Sequence, residues 1–125
     1  MPAFAFTKRH ILVVDDDSLV SETVRMLLNE DGHVVEIASS GEEALTLFRK
    51  GHFDLVITDF LMPAMTGDKL AAAIKILSPG QPIVMLTAYA EKMSARRPVI
   101  AVDCFLGKPF ELETLREAIT KSIPA

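Results

Sequence analysis

An α/β fold, in which a parallel sheet is covered by helices on both faces, is predicted by three observations. Short continuous apolar runs alternate with amphipathic stretches along the chain. The runs are rich in β-branched residues and lack polar alternation, as expected of strands buried on both sides. Each run followed by a helix makes a (βα)5 pattern, and such alternation gives parallel strands with crossover helices. At 125 residues the chain has the size of one domain.

The elements read in order as follows. Ile11-Leu12-Val13-Val14 predicts the first strand. Ser18 is a candidate cap for the first helix. Val20, Val24, Leu27 and Leu28 then fall on one helical face, and Gly32 supplies the stop. Val34 to Ala38 predicts the second strand. Ser40-Gly41-Glu42-Glu43 fits a capping box, with Ala44, Leu45 and Phe48 inside the helix and Gly51 after its end. Phe53 to Thr58 predicts the third strand. Leu70, Ile74 and Leu77 mark the third helix, which Pro79-Gly80 ends. Ile83 to Leu86 predicts the fourth strand. Residues Ala88 to Ala101 predict a short or irregular fourth helix, because Pro98 interrupts it. Val102 to Leu106 predicts the fifth strand, and Leu112, Leu115, Ile119 and Ile123 trace the last helix.

Composition narrows the function. Half the residues are apolar and 24% are charged, so the chain can bury a core. Thirteen Lys and Arg against seventeen Asp and Glu give a net charge of −4. A phosphate-backbone binder carries a basic surplus, so direct nucleic-acid binding is not expected. The one cysteine, Cys104, excludes an internal disulfide and a cysteine zinc site, and reads as a small core residue. His10, His33 and His52 lie far apart, without metal-ligand spacing. No run approaches the roughly 18 apolar residues of a membrane span. The positive charges of the first residues follow a short apolar stretch instead of preceding it, unlike a secretory signal. A cytoplasmic location without membrane contact is expected. Residues 1–7 read as a leader and residues 8–125 as the domain.

The strand ends carry the chemistry. Asp15, Asp16 and Asp17 follow the first run, Asp59 the third, Thr87 the fourth and Lys108 the fifth. In an open parallel sheet these ends share one edge, and ligands bind there at a switch point in strand order. Clustered carboxylates repel one another unless a cation joins them. Oxygen ligands without histidine suit Mg²⁺, or Mn²⁺. A carboxylate beside such an ion can attack phosphorus and form an aspartyl-phosphate. Phosphoryl transfer needs mainly positioning and charge neutralisation, which the ion and Lys108 would supply, with one hydrogen bond from Thr87. Taken singly, each residue has a plainer reading. The aspartates suit a helix-capping turn, Asp59 and Thr87 ordinary strand ends, and Lys108 an ordinary surface lysine. Lys92, Arg96 and Arg97 read as a solvated face.

Together these residues resemble the receiver domain of bacterial response regulators. The resemblance rests on Val13-Val14-Asp15-Asp16-Asp17, on Asp59-Phe60-Leu61-Met62-Pro63 with Gly67, on Thr87-Ala88 and on Lys108-Pro109-Phe110. It covers roughly Lys8 to Ile123. It implies a flavodoxin-like three-layer sandwich with strand order 2-1-3-4-5. It implies that Asp59 takes a phosphoryl group from a histidine kinase or a histidine phosphotransfer protein. Asp15, Asp16 and Asp59 would hold the metal with the backbone carbonyl of Leu61, while Asp17 is peripheral. Thr87 and Phe105 match the family's switch pair. Leu61 and Tyr89 match the positions beside the path of the hydrolytic water, and neither offers an amide or carboxylate to orient it. A phosphorylation-dependent dimer is compatible with the resemblance, and the downstream target is unspecified. The chain departs from the family pattern at Pro98-Val99-Ile100-Ala101-Val102-Asp103.

The implied role is a signalling switch and not a metabolic enzyme. Two rival readings fit the sequence less well. A phosphatase or phosphotransferase using an aspartyl-phosphate typically carries a second Asp two residues after the nucleophile, where this chain has Leu61. A flavin-binding flavodoxin needs a hydroxyl- and glycine-rich phosphate loop after the first strand, where three aspartates would repel a phosphate.

Overall fold

The computed structural model describes residues 7–88 and 102–123. In chain order the elements are β1 (His10–Val14), α1 (Ser18–Glu30), β2 (Val34–Ala38), α2 (Gly41–Lys50), β3 (Leu55–Asp59), α3 (Gly67–Leu77), β4 (Ile83–Thr87), β5 (Cys104–Gly107) and α4 (Leu112–Ser122). Apart from Ala88, the expected helix at 88–101, with Tyr89, Lys92, Arg96 and Arg97, lies outside the described residues, as do Phe4 and Phe6 of the leader.

All strand pairs are parallel, and the order is β2-β1-β3-β4-β5. The chain leaves β1 for one edge and then crosses back to β3, so β1 and β3 flank the switch point where a crevice forms.

The period of two along each strand separates two cores. Leu12, Val14, Val56, Ile83 and Met85 meet Ala44 and Leu45 of α2 and Leu70, Ala71 and Ile74 of α3. Ile11, Val13, Leu55, Ile57, Val84 and Leu86 meet Val24 and Leu28 of α1 and Leu115, Ala118 and Ile119 of α4. These strand residues are fully buried on both sides, which is why their sequence shows no polar alternation. Each such side chain contributes about 1.5–3 kcal/mol on burial.

Helix ends refine several expectations. Asp17, not Ser18, caps α1: its carboxylate accepts the Leu19 N–H at 2.9 Å. Gly32 sits at φ +89°, the left-handed conformation that ends a helix without a Cβ clash. Ser40 caps α2 by accepting the Glu43 N–H at 3.1 Å, but the Glu43 carboxylate returns to Ser39 instead of Ser40. Leu77 is about half exposed and does not join the buried face of α3. The third strand begins at Leu55, not Phe53, and ends on Asp59. The fifth begins at Cys104, although Val102 before it is buried. Cys104 is half-buried and packs against the α1–α4 core. Among the described residues, no helix is long and apolar enough to cross a membrane.

Candidate functional site

The carboxyl ends of β1, β3, β4 and β5 place the expected residues together. Asp15 follows β1 and extends its pairing, donating its N–H to Ala38 O at 3.1 Å. Its side chain is 2% exposed. One oxygen accepts the Asp17 N–H at 2.9 Å, and the other faces the Lys108 ammonium at 3.4 Å. Asp17 therefore caps α1 with its carboxylate while its own N–H holds Asp15. Asp16 is exposed. Oxygens of Asp15, Asp16 and Asp59 all lie within 4.8 Å of one another.

Asp59 is the last residue of β3 and is buried. Its Oδ1 accepts a hydrogen bond from Lys108 Nζ at 2.8 Å. Lys108 is aimed by its own backbone: its N–H donates to Thr87 O at 2.9 Å, tying the exit of β5 to the end of β4. The Lys108–Pro109 peptide is cis. Residues 93 and 49 positions apart thus share one ammonium.

The electrostatics follow from burial and charge. Burial pushes the Asp15 carboxyl upward, aided by the nearby Asp59 charge, and the Asp17 N–H and Lys108 offset this only in part. For Lys108, burial is the largest single influence and pulls its pKa down. The Asp59 hydrogen bond and the charges of Asp15 and Asp59 outweigh it, so the net shift is upward and the ammonium is firmly charged. An all-oxygen cluster of three carboxylates with no histidine or cysteine is the donor set of a hard cation such as Mg²⁺.

Thr87 ends β4, is buried, and pairs with Gly107. Phe105 pairs with Met85, so the register puts Phe105 and Thr87 on the same face of the sheet. Phe105 is half-buried against the α2–α3 core.

The loop from β3 to α3 carries Leu61, which is 61% exposed. Met62 anchors this loop in the core. Gly67 closes it, donating its N–H to Phe60 O at 2.8 Å. A Cβ on Gly67 would lie 2.2 Å from the main-chain oxygen of Asp59, so only glycine permits this approach.

Two features were not read from the sequence. Thr58 is fully buried, and its hydroxyl donates to Asp59 O at 2.9 Å. The signal available was a lone hydroxyl in an otherwise apolar run. Beside the site, an apolar groove of about 350 Å³ lies between α1 and the β5–α4 connection, lined by Leu19, Val20, Thr23, Leu27, Pro109 and Phe110 with Lys108 at its rim. Leu19 within it is 78% exposed.

Comparison with known proteins agrees with this geometry. The model of the response regulator receiver domain family matches residues 11–120. The transcriptional regulatory protein GlrR of Escherichia coli is 34% identical over 117 residues, which are 91% of this chain and 26% of that protein. The chain thus spans about a quarter of that relative, and 13% of the sensor histidine kinase AruS of Pseudomonas aeruginosa, to which it is 35% identical across 99% of its own length. Among solved structures, the response regulator TrrA of Thermotoga maritima, in complex with Mg²⁺–BeF, superposes with a TM-score of 0.84 at 36% identity, covering 92% of this chain and 99% of that one. The family match spans nearly all of the sheet and all four strand ends that carry the site, and on that ground the chain belongs to the response regulator receiver domain family.

Proposed function

We propose that this domain is a phospho-accepting switch in which Asp59 takes a phosphoryl group from a histidine kinase or a histidine phosphotransfer protein. The observation that carries this reading is the Asp59 carboxylate held 2.8 Å from Lys108, within 4.8 Å of the oxygens of Asp15 and Asp16. In the transfer, an Asp59 oxygen bonds to phosphorus as the P–N bond to the donor imidazole breaks. Asp15, Asp16 and Asp59, with the Leu61 carbonyl, would hold Mg²⁺ or Mn²⁺, which when bound neutralises charge on the transferred group. Lys108 supplies a fixed positive charge to the phosphoryl oxygens, and Thr87 a hydroxyl donor. Thr87 and Phe105, on one sheet face, then carry the change outward. The signalling unit of this proposal is residues 8–125, with residues 1–7 as a leader and output through a separate protein or a longer chain. It acts as a switch and not as a metabolic enzyme.

The donor reaches Asp59 over the strand ends, and the apolar groove beside α1 shares Lys108 with the site. A helix of the phosphodonor laid in this groove would bury Leu19 and bring its phosphohistidine to Asp59. The test of the acceptor is direct. Acetyl phosphate with Mg²⁺ should add one phosphoryl group to the wild type and none to Asp59→Asn, read by intact-mass spectrometry. Full labelling of Asp59→Asn would overturn the assignment.

A further inference from the structure

We propose that Thr58 is a positioning residue for Asp59: its hydroxyl fixes the Asp59 main-chain carbonyl and so sets where the acceptor carboxylate starts. This rests on the reading of Asp59 as the acceptor and adds a residue to it.

Thr58 stands in the middle of the sheet, paired with Val14 on one side and Met85 on the other. It shares the strand face of Val56, toward the α2–α3 core, and is 0% exposed. Valine has the same branched shape and suits such a site. A hydroxyl there is unfavourable unless it is hydrogen-bonded. It has a partner one residue on, the Asp59 carbonyl at 2.9 Å.

The same oxygen is confined by a second neighbour. Gly67, at the start of α3, approaches so closely that a Cβ would come within 2.2 Å of it. On its other flank Asp59 is held by the ladder, where it pairs with Leu86, and the following Phe60 N–H donates to Leu86 O at 3.1 Å. Strand pairing, the Thr58 hydroxyl and the Gly67 contact together fix the Cα–Cβ direction of Asp59. That direction delivers its carboxylate to within 2.8 Å of Lys108. Displacing a reacting oxygen by even a fraction of an ångström lowers the rate of an in-line transfer, which depends on alignment.

Thr58→Val keeps the side-chain shape and removes the donor. At saturating Mg²⁺ it should lower the maximal rate of labelling by acetyl phosphate about tenfold. The donor KM and the Mg²⁺ Kd should stay within about twofold, because the groups that bind them remain. Thr58→Ser should restore the rate, since it returns the hydroxyl without the methyl group. A Thr58→Val protein that labels at the wild-type rate would overturn the proposal. So would a Thr58→Ser protein as slow as the valine variant, which would point to packing alone. If Thr58→Val does not fold, Thr58→Cys, a weaker donor of similar size, carries the test: an intermediate rate supports the clamp and a wild-type rate refutes it. Absence of label on wild-type Asp59 would instead strike the acceptor reading itself, so the two failures are separable.

Discussion

Replacing Lys108 with alanine tests how the carboxylates are balanced. Its ammonium sits 2.8 Å from Asp59 and 3.4 Å from Asp15, and both acids are buried. A hydrogen bond to a charged partner contributes about 1.5–3 kcal/mol. The Lys108 side chain retains 27% exposure, and Asp15 can relax by taking up a proton, so about 2 kcal/mol is the expected loss without divalent cation. For a domain of this size that lowers Tm by roughly 8 °C. Added Mg²⁺ should then act more strongly on the variant than on the wild type, because no ammonium competes for the same oxygens. At a hundredfold excess over Kd, Mg²⁺ stabilises the wild type by about 2.7 kcal/mol. A tenfold tighter site in Lys108→Ala would add about 1.4 kcal/mol more. In Asp16→Ala the Mg²⁺ effect should shrink instead. The assay is calorimetric melting in EDTA and in millimolar MgCl2. Equal melting of wild type and Lys108→Ala in EDTA, or an unchanged Mg²⁺ increment, would refute the shared-cation account.

Other outcomes follow. If Leu61 and Tyr89 lie beside the path of the hydrolytic water, as the receiver resemblance implies, Leu61→Asn combined with Tyr89→Glu should speed loss of phosphate from the purified phosphoprotein about tenfold, since each adds a group able to orient water; slower loss would refute that reading. Leu19→Asp should slow transfer from a phosphorylated histidine kinase about tenfold while leaving acetyl phosphate labelling intact; equal loss with both donors would remove the groove from the docking surface. His33 is buried, and its Nδ1 accepts the Arg9 N–H at 3.0 Å. Burial first, with help from the Arg9 charge, outweighs Asp31 and Asp54 and holds its pKa below 6.5. The unfolded chain therefore binds the proton first. The contribution of His33 to stability is whole above about pH 6.5 and declines as pH falls below it, so His33→Gln should flatten the urea midpoint between about pH 7 and pH 5.

The strands were legible because a sheet covered on both faces leaves continuous apolar runs, and the candidate site because every run but the second ends in one of its residues. The edges of the elements were harder, because long-range bonds decide them. Phe53 reads as strand, yet its ring packs on His10 at 4.5 Å, and Asp54 next to it binds His10 N with its carboxylate at 2.8 Å. Asp54 N–H already donates to His10 O at 2.8 Å, but the register with β1 begins at Leu55. Val102 also reads as strand. Asp103 intervenes, with its N–H donating to Ile83 O at 2.8 Å and its carboxylate accepting the Ile83 N–H at 2.8 Å, so the ladder of β5 starts at Cys104. The pair between Asp31 and Arg116 joins α1's end to α4 across 85 positions, and no local pattern announces it. Its guanidinium holds the Asp31 carboxyl below the usual range.

On the proposed reading, charge explains why the switch needs groups on four different strand ends. Among the described residues, the cluster of Asp15, Asp16 and Asp59 is paired with one ammonium, Lys108, which touches Asp15 and Asp59, so two of its three negative charges are left over. A divalent cation supplies that difference. Phosphorylation then replaces the Asp59 carboxylate with a group carrying about −1.5 to −2 charge and three acceptor oxygens, as phosphoryl groups on other side chains do. The new charge and the new acceptors exceed what the resting arrangement satisfies. Lys108 is already shared between Asp15 and Asp59, so a stronger pull from residue 59 draws it away from Asp15. Thr87 is the neighbouring hydroxyl on β4, buried and paired with a glycine, Gly107, two residues beyond Phe105 on the same face. Any movement of Thr87 toward residue 59 changes what lies beside Phe105, a half-buried ring at the border between core and surface. A local change of about one charge is thereby converted into a change of surface shape, which is the form in which a partner can read it.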